Sequence, residues 1–125
     1  ANLEQNENGV LYSDLGAYLN LECDSLLKLS NFNDELRNPK VFCGLGNQFC
    51  GLGGDMKLFI TGIINRIVSK DLQGQLSWSG KRTAKPGLAD HTRIVDLIHF
   101  CCRKKFPNYN SVEGERIIQK ILQNA

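Results

Sequence analysis

Five cysteines and two histidines are the residues of this chain best suited to metal or nucleophilic chemistry. Cys43 and Cys50 are separated by six residues, which is wider than the two to four usual in a zinc knuckle. His99 and Cys102 lie three apart on one face of a predicted helix and could form a base–nucleophile pair. The sequence offers neither a third group to orient the histidine nor an oxyanion hole. We therefore predict buried, hydrophobic cysteines, no metal or other cofactor, no small-molecule substrate and no enzymatic activity.

The glycine-rich stretch that contains Cys43 and Cys50 could in principle hold a phosphate group. It lacks the Gly-x-Gly-x-x-Gly fingerprint, because Phe49 occupies the third glycine position, and no predicted strand precedes it. The chain also has no P-loop and no His-Glu-x-x-His motif. The sequence therefore disfavours nucleotide binding.

Basic side chains supply the remaining candidate chemistry, which is binding rather than reaction. Residues 1–55 hold three Lys or Arg and eight Asp or Glu, a net charge of −5, whereas residues 56–125 hold twelve and five, a net charge of +7. This asymmetry favours an anionic partner for the second half, and nucleic acid is the commonest. The alternative is an ordinary solvated face, whose positive charge is balanced by the acidic half of the chain in solution or within the fold. The basic residues cluster in two groups: Lys81, Arg82 and Lys85, and Arg103, Lys104 and Lys105.

Helical periodicity predicts the elements that position these charges, and no segment alternates as a strand would. A first helix is predicted over 24–37 and is ended by Asn38-Pro39, and a short, glycine-weakened helix follows it. The central core helix starts at Asp55 and runs through Val68. Residues 69–76 form a short helix or turn, and the tight turn 77–80 carries Trp78, which plugs the core.

The second half is predicted to present the basic groups around two further helices. The loop 81–87 is exposed because it has almost no apolar content. Asp90 caps the next helix, and the triplet 103–105 forms its last turn, where cations suit the helix dipole. Ser111 caps a last helix with a polar outer face. Together these elements predict an all-α, compact bundle of about five helices.

Length and cysteine usage limit the domain organisation and the cellular compartment that the sequence allows. We predict a flexible lead-in over residues 1–18 and one helical domain over 19–125, since 125 residues fit a single core. No apolar run is long enough to span a membrane and no charged-then-apolar segment opens the sequence, so we expect neither membrane insertion nor secretion. An odd number of scattered cysteines is a poor disulfide framework, which favours a reducing compartment, the cytoplasm or the nucleus.

Several motifs together resemble a known metazoan family. They are LGG, the isoleucine-rich helix through Val68, SKDLQGQLSWSGKR and the last amphipathic helix, preceded by the acidic LNLECDSLLKLSNFNDELRNP. Over roughly residues 19–125 they are similar to the domain-of-unknown-function family numbered four-eight-zero-six. That resemblance implies a helical domain in a nuclear, chromatin-linked setting.

Shorter motifs are similar to BEN domains, which are helical modules of transcriptional regulators. The likeness rests on Ser79-Gly80-Lys81, Lys85-Pro86-Gly87-Leu88, Lys105-Phe106-Pro107 and the last helix. It implies a BEN-like bundle that binds duplex DNA through the last helix and nearby loops, or that binds other proteins. Carried onto this chain, it nominates Lys81, Lys85, Lys104, Lys105, Arg116 and Lys120 as contact residues.

One pair of residues departs from a DNA-binding pattern. Glu113 and Glu115 lie in the first turn of the last helix, where they suit the helix dipole but would repel phosphate. The leading hypothesis is still a non-enzymatic nuclear module that binds duplex DNA in a chromatin or transcription regulator. The alternative is a protein-interaction or self-association domain of such a regulator, in which the acidic half of one copy meets the basic half of another.

Overall fold

The computed structural model describes residues 21–81 and 83–125. The predicted lead-in over 1–18 and the candidate contact residue Arg82 lie outside this part of the chain. Over the described residues the fold is all-α, as the periodicity predicted. The helices are α1 (Leu26–Glu35), α2 (Pro39–Phe49), α3 (Met56–Ile67), α4 (Lys70–Gly74), a 3-10 helix (Leu88–Asp90), α5 (Thr92–Lys105) and α6 (Ser111–Gln123).

Short polar side chains begin the first three helices by accepting backbone hydrogen bonds. Ser25 Oγ accepts from the Lys28 amide at 3.2 Å, Asn38 Oδ1 from Lys40 at 3.0 Å and Asp55 Oδ1 from Leu58 at 2.9 Å. Each satisfies an amide that has no partner within the helix. The Asp55 cap confirms the predicted start of α3. Asn38-Pro39 separates α1 from α2 as predicted, and it also starts α2, because proline suits the first helical position.

The interior is formed where α3 and α5 meet the other helices. Helix α5 packs against α1, α2 and α3, while α3 also packs against α6, and α6 contacts α4. The sequence predicted α3 as the central helix, whereas α5 has the larger set of neighbours. The side chains with 1% exposure or less on these two helices are Phe59, Ile60, Ile63, Ile64, Ile67, Ile94, Leu97, Ile98, Cys101 and Cys102.

Helix α1 buries only some of its apolar side chains. Leu29 and Phe32 are buried, but Leu26 is 43% exposed and Leu27 is 71% exposed. A helix that touches the core along one side can bury only residues three or four apart. Leu26 is the first residue of the helix and Leu27 faces away from the stripe, so both side chains stay largely exposed.

Helix α2 forms despite its glycines, and one of them is required by its packing. A Cβ added at Gly46 would lie 2.4 Å from Cε2 of Phe100 on α5. The ring instead packs directly on the α2 backbone and meets Phe42 edge to face, with centroids 5.3 Å apart. The intrinsic cost of glycine in a helix is therefore offset by this close approach.

The start of α5 depends on a residue from α1 and not on the predicted Asp90 cap. Asp90 belongs to the 3-10 helix, and His91 at the N-cap position makes no side-chain cap bond. Asn33 Oδ1 instead accepts from the backbone amides of Arg93 at 3.0 Å and Ile94 at 3.1 Å. The Asp90 prediction was wrong because the cap comes from sixty residues earlier in the chain.

We expect Asn33→Ala to lower the free energy of unfolding by about 1 kcal/mol, the usual effect of losing a helix cap. The substitution leaves two amides at the start of α5 without their acceptor. Urea denaturation measures the change. The control is Asn31→Ala, an exposed neighbour on α1, which should leave stability nearly unchanged. Equal losses in the two variants would show that the effect arises in α1 and not at the α5 cap.

The cysteines are free thiols, as predicted. Cys23, Cys101 and Cys102 are buried, and Cys43 and Cys50 are half-buried. Burial raises the pKa of Cys23 and of Cys102 to about 11, so both remain protonated near neutral pH. They act as small hydrophobic residues of the interior.

The helices of the described chain are short. The longest, α5, has fourteen residues, and none of the helices in 21–81 and 83–125 is long and apolar enough to cross a membrane.

Candidate nucleic-acid interface

The predicted basic loop is closed at its base by backbone hydrogen bonds. The Ser77 amide donates to the Pro86 carbonyl at 2.9 Å, and the Leu88 amide donates back to the Ser77 carbonyl at 2.8 Å. The Ala89 amide donates to the Trp78 carbonyl at 2.8 Å. Lys81 and Lys85 therefore belong to a loop whose two ends are held together.

Two glycines allow the ends of this loop to approach closely. Gly80 has φ of +72°, a left-handed conformation that confirms the predicted tight turn. A Cβ at Gly87 would lie 2.6 Å from the Ser79 carbonyl carbon. Gly87 is buried, whereas Lys81 and Lys85 are exposed. The prediction that all of 81–87 is exposed was thus wrong at Gly87, since the backbone of the turn packs on it.

The loop lies against the last helix and forms a groove of about 370 Å³, here called the Trp78 groove. Trp78 was predicted to plug the core; it is half-buried, packs on the edge of the core and also lines this groove. Lys85 lines it from the loop, and Gln119 and Gln123 line it from α6. The fold therefore brings a loop cation and two helix amides together across about thirty-five residues of chain.

A second groove, here called the helix groove, runs along the outer face of α6 with a volume of about 430 Å³. It is lined by Arg116 and Lys120 and shares Gln119 and Gln123 with the Trp78 groove. The two grooves are therefore adjacent, and Lys85, Arg116 and Lys120 border one surface. Glu113 lines the helix groove as well, so the predicted conflict between carboxylate and phosphate lies at its N-terminal end.

Arg103 lies in a separate groove with carboxylates. This groove of about 310 Å³ is also lined by Asp96, His99 and Glu115, and it shares Trp78 with the Trp78 groove. No ion pair joins Arg103 to these carboxylates among residues 21–81 and 83–125. The two carboxylates that share this groove lower the positive potential around Arg103.

Lys104 and Lys105 are directed toward the protein. Lys104 Nζ donates to Asn47 Oδ1 at 3.0 Å and lies 4.8 Å from the centroid of the Phe100 ring. Lys105 Nζ donates to the Leu52 carbonyl and lies 4.9 Å from the Phe59 centroid. These contacts tie the end of α5 to α2 and α3. The second basic cluster therefore does not join the surface formed by Lys85 and α6.

The four cations of the loop and the outer face of α6 make no ion pair within the described residues, although Glu113 shares the helix groove with Arg116 and Lys120. The ion pairs found there are Lys28 with Asp24 and Arg37 with Asp34, and His99 lies beside Glu115, with which it pairs only when the imidazole is protonated. None involves the lysines and the arginine of this surface, which are Lys81, Lys85, Arg116 and Lys120. Their positive charge is open to solvent within that part of the chain.

A buried polar cluster holds the start of α6 against α5. The His99 Nδ1 atom lies 2.6 Å from the Tyr109 hydroxyl, and its Nε2 atom lies 3.4 Å from Glu115 Oε2. The Tyr109 hydroxyl also lies near the Cys102 thiol, where it opposes the effect of burial on the pKa of that thiol. The sequence spacing suggested a direct pair of His99 and Cys102. In the structure His99 instead contacts Tyr109 and Glu115. Glu115 is the orienting group that the sequence did not reveal.

Burial determines the charge state of this cluster. It lowers the pKa of His99, and the Glu115 carboxylate opposes that effect. Burial also raises the pKa of Tyr109 above its usual range. Tyr109 and Cys102 therefore keep their protons near neutral pH, and neither is an activated nucleophile. The cluster positions α6; its geometry is that of a buried hydrogen-bond network.

The N-cap of α6 differs from the prediction by one residue. Asn110 Oδ1 accepts from the Val112 amide at 2.8 Å, while Ser111 is the first helical residue. Asparagine and serine are comparable caps, so spacing alone did not separate them. The outward positions of α6 were predicted correctly, because Glu113, Arg116, Gln119, Lys120 and Gln123 are all exposed.

No metal-binding group is present among the described residues. No three His, Cys, Asp or Glu side chains in 21–81 and 83–125 are placed to hold an ion.

Comparison with protein families, with curated proteins and with solved structures finds no match to this chain. The resemblances to the two families named from the sequence motifs therefore stay predictions.

Proposed function

We propose that this domain binds duplex DNA through the surface formed by the loop 77–88 and the outer face of α6. The observation that carries the proposal is the placement of Lys85 beside Gln119 and Gln123, next to the groove that Arg116 and Lys120 line. Lysine and arginine neutralise backbone phosphates, while arginine and glutamine on an exposed helix can also reach base edges.

Within this proposal the eight candidate cations have different roles. Lys81, Lys85, Arg116 and Lys120 contact phosphate or base edges. Arg82 belongs to the same loop by sequence. Arg103 contributes little because Asp96 and Glu115 line its groove. Lys104 and Lys105 stabilise the fold through Asn47, Phe100, Leu52 and Phe59.

The expected setting is the nuclear, chromatin-linked one that the resemblances of the sequence motifs imply. A domain that recognises DNA through four cations and no reactive group acts as a non-enzymatic module of a nuclear chromatin or transcription regulator. The self-association alternative needs free carboxylates in the acidic half. Two of the carboxylates there, Asp24 and Asp34, already form ion pairs with Lys28 and Arg37, all within or next to α1.

We expect Lys85→Glu combined with Lys120→Glu to weaken binding of a labelled duplex of about 20 base pairs by at least about tenfold. Fluorescence anisotropy measures the affinity. The control, Lys40→Glu combined with Lys57→Glu, makes the same charge change at exposed sites outside these grooves. It should retain most of the affinity, because salt screens charges beyond about 8 Å.

The salt dependence tests the number of phosphate contacts. Four contacts predict a slope of log K against log salt of about −3.6, since each contributes about −0.9. Equal losses in the two double variants would reject this surface and leave only an effect of net charge. A molar mass that rises with concentration in light scattering, with no duplex binding, would favour self-association instead.

A further inference from the structure

Of the three grooves described above, the Trp78 groove is the one that no carboxylate lines. Glu113 lines the helix groove, and Asp96 and Glu115 line the Arg103 groove. No Asp or Glu of the described chain lines the Trp78 groove, whose charged residue is Lys85. Lys85 would attract an anionic ligand there, and no carboxylate that lines the groove would repel it.

The wall and the floor of this groove are suited to a flat, partly apolar group. Trp78 is half-buried and lines the groove beside Leu76 and Leu122, which are buried. A flat heteroaromatic ring gains contact with an indole and with leucine side chains when it leaves water. Phosphate alone would gain nothing from these three residues.

The rim adds groups that can recognise the edge of such a ring. Gln119 and Gln123 lie four residues apart on α6 and therefore share one helix face. Each amide offers both donors and an acceptor, which match the edges of nucleobases. Lys85 lies on the loop side, where it can meet the phosphate that a nucleotide carries.

The groove is also held in shape before any ligand binds. Ser77 Oγ accepts from the Gly80 amide at 2.8 Å, and its hydroxyl donates to the Lys85 carbonyl at 3.3 Å. The close packing of Gly80 on Gly87 fixes the same turn. A preformed groove loses less conformational entropy on binding.

We infer that the Trp78 groove binds one unpaired nucleobase together with its phosphate, with the ring stacked against the indole. This inference rests on the proposed DNA-binding function and specifies its ligand. The unpaired base could come from a single strand or from a bulge in a duplex, and the shared chemistry is the exposed ring with its phosphate. Paired bases inside a regular duplex keep their faces stacked and would not enter.

Trp78 provides a direct readout, because it is the one tryptophan of the 125 residues. The full chain is titrated with a paired duplex of about 20 base pairs, with the same duplex carrying one unpaired thymine, and with a single strand of equal length. Anisotropy of the labelled DNA gives the affinity, and tryptophan emission reports contact with the groove. We expect the bulged duplex to bind about tenfold tighter than the paired one and to quench the emission.

The source of the base and the role of the rim are tested separately. Quenching by the single strand at similar affinity identifies strand ends or open strands as the source, whereas quenching by the bulged duplex alone identifies a helical defect. Gln119→Glu combined with Gln123→Glu should abolish the preference for the unpaired base. Asn31→Asp combined with Gln48→Glu is the control with the same charge change at exposed sites away from the groove.

The failure of this inference is distinguishable from that of the proposed function. Salt-dependent binding of the paired duplex, with no preference for the bulge and no change in emission with any probe, would overturn the groove inference and leave the proposed function standing. Absence of binding by all three probes would overturn both.

Discussion

Gly114→Ala is expected to destabilise the fold by about 2 to 3 kcal/mol, although alanine is the better helix former. A Cβ at position 114 would lie 1.9 Å from the Tyr109 hydroxyl and 2.7 Å from its ring carbon Cζ. The Tyr109 ring would have to leave its site, which breaks its contact with His99 and leaves a buried polar group without a partner. These losses exceed the roughly 1 kcal/mol that alanine contributes through helix propensity.

The control for this prediction is Gly62→Ala in α3. A Cβ there meets Leu52 Cδ1 at 3.5 Å, an ordinary contact. Stability should stay level or rise by up to about 1 kcal/mol. Urea denaturation of both variants gives the comparison. Similar values for the two would mean that Tyr109 moves at little cost and that the His99 cluster does not hold α6.

A double-mutant cycle locates the cause of the loss. Tyr109→Phe removes the hydroxyl that is closest to position 114 but keeps the ring. Combined with Gly114→Ala, it should cost clearly less than the sum of the two single changes, because part of the clash and the same hydrogen bond are removed only once. Additive costs would place the strain elsewhere.

Ile64→Ala is expected to cost about 2 to 5 kcal/mol of folding free energy. Ile64 is 1% exposed and belongs to α3, the helix that packs against both α5 and α6. The substitution removes three carbons from a closely packed interior and leaves a cavity that its neighbours only partly fill. The same urea denaturation measures the loss.

Arg66→Ala, two residues further along α3, is the matched control. Arg66 is exposed, so its truncation should change the free energy of unfolding by less than about 0.5 kcal/mol. A small loss in the Ile64 variant would contradict the register of α3, since that register alone places Ile64 inside. The predicted and observed faces of this helix agree at Phe59, Ile60 and Ile63 as well.

The outward surface of the last helix was predictable, but its neighbours were not. A spacing of three and four residues places Ile118 and Leu122 inward and Arg116 and Lys120 outward. Nothing in that spacing says which loop packs beside Gln119 and Gln123. Lys85 lines the same groove as these two glutamines because backbone hydrogen bonds close the loop 77–88. Those bonds join residues that sequence periodicity does not relate.

The basic triplet at the end of α5 shows the opposite outcome. Charge and position predicted three exposed contacts, and Arg103 is indeed exposed. Lys104 is exposed as well, although its ammonium group donates to Asn47 and lies over the Phe100 ring, whereas Lys105 is half-buried and is occupied by the Leu52 carbonyl and the Phe59 ring. A long side chain can turn toward any acceptor within reach, so composition does not reveal its direction.

From its sequence alone this chain was determined to be helical, with α3, α5 and α6 facing inward along the predicted stripes and with Asp55 starting α3. These properties depend on residues within about one helical turn of one another, so local spacing is sufficient to specify them. Tertiary structure decided the cap of α5 by Asn33, the seat of Tyr109 against Gly114 and the groove between the loop and α6. Each of these joins atoms from separate elements, and only the packing of the whole interior sets their distance.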